Sequence, residues 1–289
     1  MVTELANAKV NLYLDVVSRR PDGFHNIKTV MHSVSLFDTL TVSAVEDGVT
    51  SLTLEVVGTP ELAGENNLAA RAAYAYLSAA GISARVHIRL EKNIPIAAGL
   101  AGGSTDAAAV LRALNRSFGF PLTAAELSSI AATLGSDVPF CLLGGTVLCE
   151  GRGEVMRPIH APRPMNFVIA VAEESVSTPA AYSALDSLYS DFDGSVPHGG
   201  AMEYDALSAF LAGAPLPDKL YNVFEEAVLP ECNGAREIKA AMLRFGAVAA
   251  LMSGSGPSVF GIFEDADVAE ECRNKLVGLG YRAYAAHSV

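Results

Sequence analysis

Apolar and polar residues alternate over 9–16. Val10, Leu12, Leu14 and Val16 fall on one face, and Lys9, Asn11, Tyr13 and Asp15 on the other. A period of two predicts a half-buried strand. Strands are also expected over 28–34 and 40–45, with a turn at Phe37-Asp38, over 52–56 and 85–90, over 146–150 after Gly144-Gly145, and over the apolar run 167–172. Helical spacing takes over between them. Asn67-Leu68 opens a helix to about Ala80, with Gly81 as its C-cap. Ala107, Val110, Leu111 and Leu114 recur at i, i+3, i+4 and i+7 and predict a helix over 105–114. Thr123 and Glu126 have the spacing of a capping box ahead of a helix that Gly135 ends. Thr178 as N-cap and Pro179 in the first turn start another helix. Residues 190–200 read as a turn-rich loop, followed by helical patterns over 203–212, 219–229 and 234–245. Strands over 247–252 and 259–263, a helix over 266–278 and a strand over 281–287 finish the chain. From 167 onward this succession suggests a ferredoxin-like layer. The chain divides into two expected domains, 1–156 and 157–289, of α+β class.

Composition narrows the partners. With 289 residues, 51% of them hydrophobic, a sizeable core is easily built. The formal net charge of −12 repels a nucleic-acid backbone, so no nucleic-acid surface is expected. An anionic ligand must then be held by a few local donors. Cys141, Cys149, Cys232 and Cys272 form no C-x-x-C pair and read as reduced thiols of a cytoplasmic protein. The N-terminus has no signal-peptide pattern, and no apolar run reaches membrane-spanning length.

The chemistry concentrates between the 85–90 strand and the 105–114 helix, in Pro95-Ile96-Ala97-Ala98-Gly99-Leu100-Ala101-Gly102-Gly103-Ser104-Thr105-Asp106. Glycines let backbone N–H groups approach a ligand closely. A helix start adds unpaired donors and about half a positive charge, so the stretch reads as a phosphate cradle. A tight glycine-rich turn is the plainer reading. Neither the Walker A ending nor G-x-G-x-x-G is present. Four other places carry a functional and a structural reading side by side. Lys9 and Asn11 share a strand face that is either a ligand face or a solvated one. Lys92 is a cation near the loop or a solvated strand end. Asp137 is a reactive carboxylate or the cap of a short helix. Ser253-Gly254-Ser255-Gly256-Pro257-Ser258 is a second ligand loop or a hairpin turn.

The loop ending Gly102-Gly103-Ser104-Thr105-Asp106-Ala107-Ala108 resembles the phosphate loop of the GHMP kinases, and most of all that of the branch whose substrate carries a cytidine. Four further stretches are similar to motifs of that family, in the family's order. Ala8-Lys9-Val10-Asn11-Leu12 matches A-K-[VIL]-N-L, and Arg20-Pro21-Asp22-Gly23-Phe24-His25 matches R-x-D-G-[YF]-H. Leu134-Gly135-Ser136-Asp137-Val138-Pro139 matches L-G-[AS]-D-V-P, and Ser253–Ser258 matches [ST]-G-[ST]-G-x-S. Glu65-Asn66-Asn67-Leu68 and the S-x-x-T-x-x-x-[YF] pattern ending at Tyr182 also fit.

The resemblance implies the two-domain GHMP kinase fold. It has an N-terminal domain like ribosomal protein S5 domain 2, a ferredoxin-like C-terminal domain and an active site in the cleft between them. It implies ATP with Mg²⁺, although no metal ligand is named by the sequence. Asn67 and Leu68 would surround adenine. Lys92, Pro95, Ala97, Ala98, Gly99, Leu100, Ala101, Gly102, Gly103, Ser104 and Thr105 would line the nucleotide. Lys9 and Asp137 would be catalytic. Asn11, Phe24, His25, Thr178, Tyr182, Gly254, Ser255 and Gly256 would hold the substrate, with Phe24 and Tyr182 as aromatic walls for cytosine; Tyr182 as core packing is the plainer alternative. The activity implied is ATP-dependent phosphorylation of a hydroxyl on a cytidyl-linked methylerythritol, giving its 2-phosphate, in non-mevalonate isoprenoid precursor synthesis. A homoserine- or mevalonate-type kinase and a non-catalytic ligand sensor are the alternatives, and monomer and homodimer are both compatible. One departure stands out: Ala97, Ala98 and Ala101 occupy positions where many relatives have Gly. Alanine disfavours positive φ, so a loop that needs it there is expected to differ locally.

Overall fold

The first strand, β1 (Val2–Arg19), is longer than its alternation predicts, and it buries both faces between Ala8 and Asp15. Lys9 and Asn11 stay dry because they are paired. Lys9 donates to Asn11, Asn11 to Thr29, and Thr29 to the Tyr13 carbonyl. Buried polar groups are tolerated when they are paired in this way. The solvated-face reading of Lys9 and Asn11 is therefore corrected. The structure, a computed structural model, describes residues 1–159, 164–189, 201–215, 217 and 220–289. The turn-rich stretch 190–200 lies outside the described residues.

The two strands expected around Phe37-Asp38 are one strand, β2 (His25–Glu46). Asp38 does not turn the chain, because its carboxylate accepts from the N–H groups of Asn93 and Ile94 and from the Lys92 ammonium. Two compact units follow, and β1 and β2 each run from one into the other.

The first unit comprises 1–8, 36–96 and 101–143. In it β3 (Ser51–Val57) pairs parallel with β4 (Ala84–Glu91), and β4 pairs antiparallel with the end of β2 in the register Val42↔Ile88. A 3₁₀ turn (Pro60–Leu62) precedes four helices: α1 (Leu68–Ala80), α2 (Gly102–Ser117), α3 (Ala124–Leu134) and α4 (Val138–Leu143). Helix α1 packs on α2 and α3, and α4 on α2 and α3. Their ends follow the sequence signals. Asn67 caps α1 by accepting from the Ala69 N–H, Gly81 closes it in the left-handed conformation, and Thr123 with Glu126 forms the capping box of α3. Helix α2 begins at Gly102, three residues before the apolar spacing predicts.

The second unit comprises 9–35, 97–100 and 144–289. A hairpin of β5 (Thr146–Gly151) and β6 (Val155–Pro158) pairs through β5 with β2, in the register Thr29↔Cys149. Then come β7 (Asn166–Val171), α5 (Thr178–Leu188), α6 (Ala201–Leu211), β8 (Tyr221–Asn222), α7 (Phe224–Val228), α8 (Asn233–Arg244), β9 (Ala249–Met252), β10 (Ser258–Phe263), α9 (Ala266–Gly278) and β11 (Arg282–His287). The sequence missed β6. It also read β8 and α7 as one helix, although Tyr221 and Asn222 pair parallel with Tyr13 and Leu14 of β1. Helix α5 is capped by Ser177, not Thr178. The sheet order β11-β7-β10-β9, antiparallel throughout, places the strands 4-1-3-2 in chain order, and α8 and α9 pack against it. This is the expected ferredoxin-like layer. Phe167, Ile169, Phe260, Met242 and Leu276 form its core.

Candidate active site

Lys9 is 4% exposed and its ammonium is aimed by two acceptors, Asn11 Oδ1 at 2.7 Å and the Gly99 carbonyl at 2.9 Å. Its backbone N–H donates to the Leu100 carbonyl. Strand β1 thus ties directly to the middle of the glycine loop. The second glycine turn closes on the same point: it is the β9–β10 hairpin, and the Ser253 hydroxyl also donates to the Gly99 carbonyl, at 3.1 Å. Gly99 has φ +75°, and a β-carbon there would lie 2.2 Å from the Ser253 carbonyl oxygen, so only glycine fits. A β-carbon on Gly254 would stand 3.3 Å from Lys9 Nζ. Thr178 and Ser255 share a hydrogen bond of 3.0 Å. The structure therefore brings together Lys9, Asn11, Gly99, Leu100, Thr178, Gly254 and Ser255. It does so partly through a residue that the sequence reading missed. Buried Asn222 donates to the Met252 and Gly254 carbonyls and accepts from the Phe224 N–H, which holds the hairpin turn in shape. Its only sequence signal was an amide inside an apolar stretch.

The loop keeps its left-handed positions despite the alanines. Ala97 has φ +53° and Ala101 φ +60°, while Ala98 is not among the residues with positive φ. The expected local difference is absent at Ala97 and Ala101; the geometry is kept under strain. Ala101 is the N-cap of α2, and no side chain caps that end. The first turn carries no acidic residue, and the bond from Thr105 N to the Ala101 carbonyl opens the helix. The N–H groups of Gly102, Gly103 and Ser104 accordingly have no acceptor within the helix, which suits a phosphate oxygen. The Thr105 hydroxyl is buried and donates to the Asn7 carbonyl. A β-carbon on Gly103 would touch Leu68 at 3.4 Å, so the start of α1 adjoins the loop. The Asn67 side chain serves the fold, accepting from Ala69 and donating to the Leu62 carbonyl.

Lys92 is not a solvated strand end. Its ammonium donates to Asp106 Oδ2 at 2.7 Å and to Asp38. A β-carbon on Gly102 would lie 3.3 Å from Nζ, so this charge sits beside the start of α2. Burial works against the ammonium, but Asp106 and Asp38 outweigh it and raise its pKa. Asp106 is 2% exposed, and its Oδ1 has no hydrogen-bond partner among the described residues. Burial pushes its pKa up to about 7; Lys92 pulls it down and Asp38 adds to the rise.

The His25 ring stacks on Tyr182, centroids 4.6 Å apart at 22°, and Phe224 meets Tyr182 edge-on at 4.8 Å. Phe24 is 51% exposed, with the Arg152 guanidinium 3.9 Å from its ring centroid. His25 Nε2 lies 2.7 Å from Asp186 Oδ1. Asp186 is a second residue the sequence reading missed; its signal was its place four residues after Tyr182 on α5. Asp137, half-buried in the first unit, begins α4 through its carbonyl, which accepts from the Cys141 N–H. Among the described residues no group of three or more His, Cys, Asp or Glu could hold a metal ion, and no helix is long and apolar enough to cross a membrane.

Residues 67–145 match the family profile described as GHMP kinases N terminal domain, and residues 206–282 the one described as GHMP kinases C terminal. The chain belongs to the GHMP kinases. A relative from Desulfitobacterium hafniense named 4-diphosphocytidyl-2-C-methyl-D-erythritol kinase is 40% identical over 100% of this chain and 96% of its own length. One of the same name from Symbiobacterium thermophilum is 42% identical over 98% of each. A crystal structure of 4-(cytidine 5'-diphospho)-2C-methyl-D-erythritol kinase shares the fold with a TM-score of 0.82 at 37% identity, covering 99% of this chain and 98% of that one.

Proposed function

We propose that the chain transfers the γ-phosphoryl group of ATP to a hydroxyl of 4-diphosphocytidyl-2-C-methyl-D-erythritol, giving the 2-phosphate, in a non-mevalonate route to isoprenoid precursors. The observation that carries this reading is identity of about 40% over the full length to relatives bearing that substrate in their names.

Phosphoryl transfer through a loose transition state asks mainly for positioning and charge neutralisation. The bare N–H groups at the start of α2, with the 95–105 loop, receive the ATP phosphates in this reading, and Asn67 and Leu68 border adenine. Two of the three ammonium protons of Lys9 are committed to Asn11 and Gly99. The third is assigned to the acceptor oxygen, where it draws off charge. Asp137 accepts or orients the hydroxyl proton. Phe24, His25, Thr178 and Tyr182 hold the cytidyl group, with Gly254, Ser255 and Gly256 along the phosphates. The described residues offer no dedicated cage for Mg²⁺. Mg²⁺ would be held mainly by the phosphate oxygens and waters, with few protein ligands. We assign 1–156 and 157–289 as the segments carrying the two family domains, a cytoplasmic location, and a monomer or homodimer.

The test is ADP release with ATP, Mg²⁺ and the cytidyl substrate, beside homoserine and mevalonate. Turnover with the cytidyl substrate alone is expected, and Asp137→Asn is expected to lower kcat by about 10²–10⁴-fold. Turnover of a control instead would move the chain to another branch of the family. Nucleotide binding without turnover would make it a sensor.

A further inference from the structure

We propose that Asn222 is a positioning residue for phosphoryl transfer: by holding two carbonyls around the 253–256 turn, it aims two backbone N–H groups of that turn at the group in transfer, beside the Lys9 ammonium. The inference rests on the kinase reading given above. Asn222 acts through the turn and touches no ligand itself.

Asn222 is 2% exposed, and its amide is committed at both ends. Nδ2 donates to the Met252 carbonyl at 2.7 Å and to the Gly254 carbonyl at 2.8 Å, and Oδ1 accepts from the Phe224 N–H at 3.0 Å. Two acceptors at one end and a donor at the other fix the direction of the amide. The backbone of Asn222 is fixed as well, because it pairs with Leu14 of β1, the strand that carries Lys9. In a planar trans peptide the carbonyl and the following N–H point in opposite directions. Holding the Gly254 carbonyl therefore turns the Ser255 N–H away from Asn222. The Ser253 carbonyl accepts from the Gly256 N–H, which fixes the Gly254 N–H in turn. Neither the Gly254 nor the Ser255 N–H meets an acceptor among the described residues, although both residues are buried. Buried N–H groups are almost always paired, so two in succession mark a place for an anionic ligand atom. Lys9 adjoins that place, since a β-carbon on Gly254 would lie 3.3 Å from Nζ. Lys9 and the Ser253 hydroxyl both donate to the Gly99 carbonyl, which ties the ammonium to the turn.

The wild type, Asn222→Asp and Asn222→Ser would be compared. Aspartate keeps the size and the bond from the Phe224 N–H but has no proton for either carbonyl; serine keeps one donor. The expected result for Asn222→Asp is a kcat per active site lowered about 10²-fold, the scale of a misplaced or lost transition-state donor, with a smaller loss for Asn222→Ser. Affinity for ADP alone stays unchanged. Affinity of the acceptor-bound enzyme for ADP–aluminium fluoride, a mimic of the group in transfer, falls in step with kcat. A merely structural role reduces the number of active sites and leaves kcat per site and the mimic's affinity as they were. That result overturns the inference, as does a loss of ADP affinity equal to that of the mimic. Amide NMR of the wild type gives an independent reading, decisive also if neither variant folds. On addition of acceptor and ADP–aluminium fluoride, the Gly254 and Ser255 N–H signals are expected to move downfield and gain protection from exchange, with the Asn222 side-chain protons protected throughout. Turn amides that do not move, or an Asn222 side chain that exchanges freely, overturn the inference. The acceptor is the cytidyl substrate or whichever control the wild type phosphorylates, so a different acceptor leaves this test standing. A chain that binds nucleotide and phosphorylates no acceptor overturns the kinase reading and this inference with it.

Discussion

Ala97 and Ala101 hold left-handed backbone in a loop where glycine is the unstrained choice. For a residue with a β-carbon that conformation costs roughly 1–2 kcal/mol. Glycine relieves the strain but loses about 0.4–1 kcal/mol through the freer unfolded chain. Ala101→Gly is therefore expected to raise stability by about 0.5–1 kcal/mol, read from the urea midpoint at unchanged m-value. A lower midpoint would show that Ala101 is not strained. Gly99 is the opposite case, since the Ser253 carbonyl leaves no room for a methyl group. At this scale the sequence named the loop residues but could not choose between readings. Lys9 and Asn11 on an alternating face look the same whether the face meets water or a partner. Only Thr29, Gly99 and the hairpin turn, far off in the chain, decide it.

Asp38 lies on β2, Lys92 just past β4 and Asp106 on α2, so one buried ammonium between two carboxylates ties three elements at the base of the glycine loop. The folded pKa of Asp106, about 7, stands above its unfolded value of about 3.9. The folded state therefore holds this proton more tightly than the unfolded state. The resulting stabilisation is complete below about pH 4 and is lost as pH rises toward 7. Asp106→Asn keeps the shape without the titration and is expected to flatten the decline in Tm across that window. A variant that retains the wild-type slope would refute the assignment. Element boundaries in the sequence erred where such distant contacts intervene. Asp38 reads as a turn residue until the N–H groups of Asn93 and Ile94 are seen to claim it. Asn222 reads as part of a helix until β1 pairs with it. Thr178 looks like a cap, but Ser177 fills that place and leaves Thr178 to bond Ser255.

Across the molecule the compact units are not contiguous in the chain. The second takes 9–35 and 97–100 as well as 144–289. Strand β8 needs β1, and the hairpin turn needs Gly99. A fragment spanning 157–289, expressed alone, is expected to lack cooperative unfolding and to give a poorly dispersed NMR spectrum, because it lacks those partners. A well-dispersed, cooperatively unfolding fragment would contradict this. The net charge of −12 sets a second whole-molecule condition. An anionic ligand must be held by fixed local donors, and in the proposed reading the uncapped start of α2 is where they stand.

Local patterning determined most of the strands and helices, the capping of α1 and α3, the ferredoxin-like succession and the family motifs, because these depend on neighbours within a few residues. The tertiary structure alone decided that β2 is one strand and that the polar face of β1 is buried. It also decided that Lys92 is spent on Asp38 and Asp106, and that His25 is held by Asp186 against Tyr182. Each of these depends on partners from 14 to 161 residues away, and an isolated residue type carries no record of what the fold will place beside it.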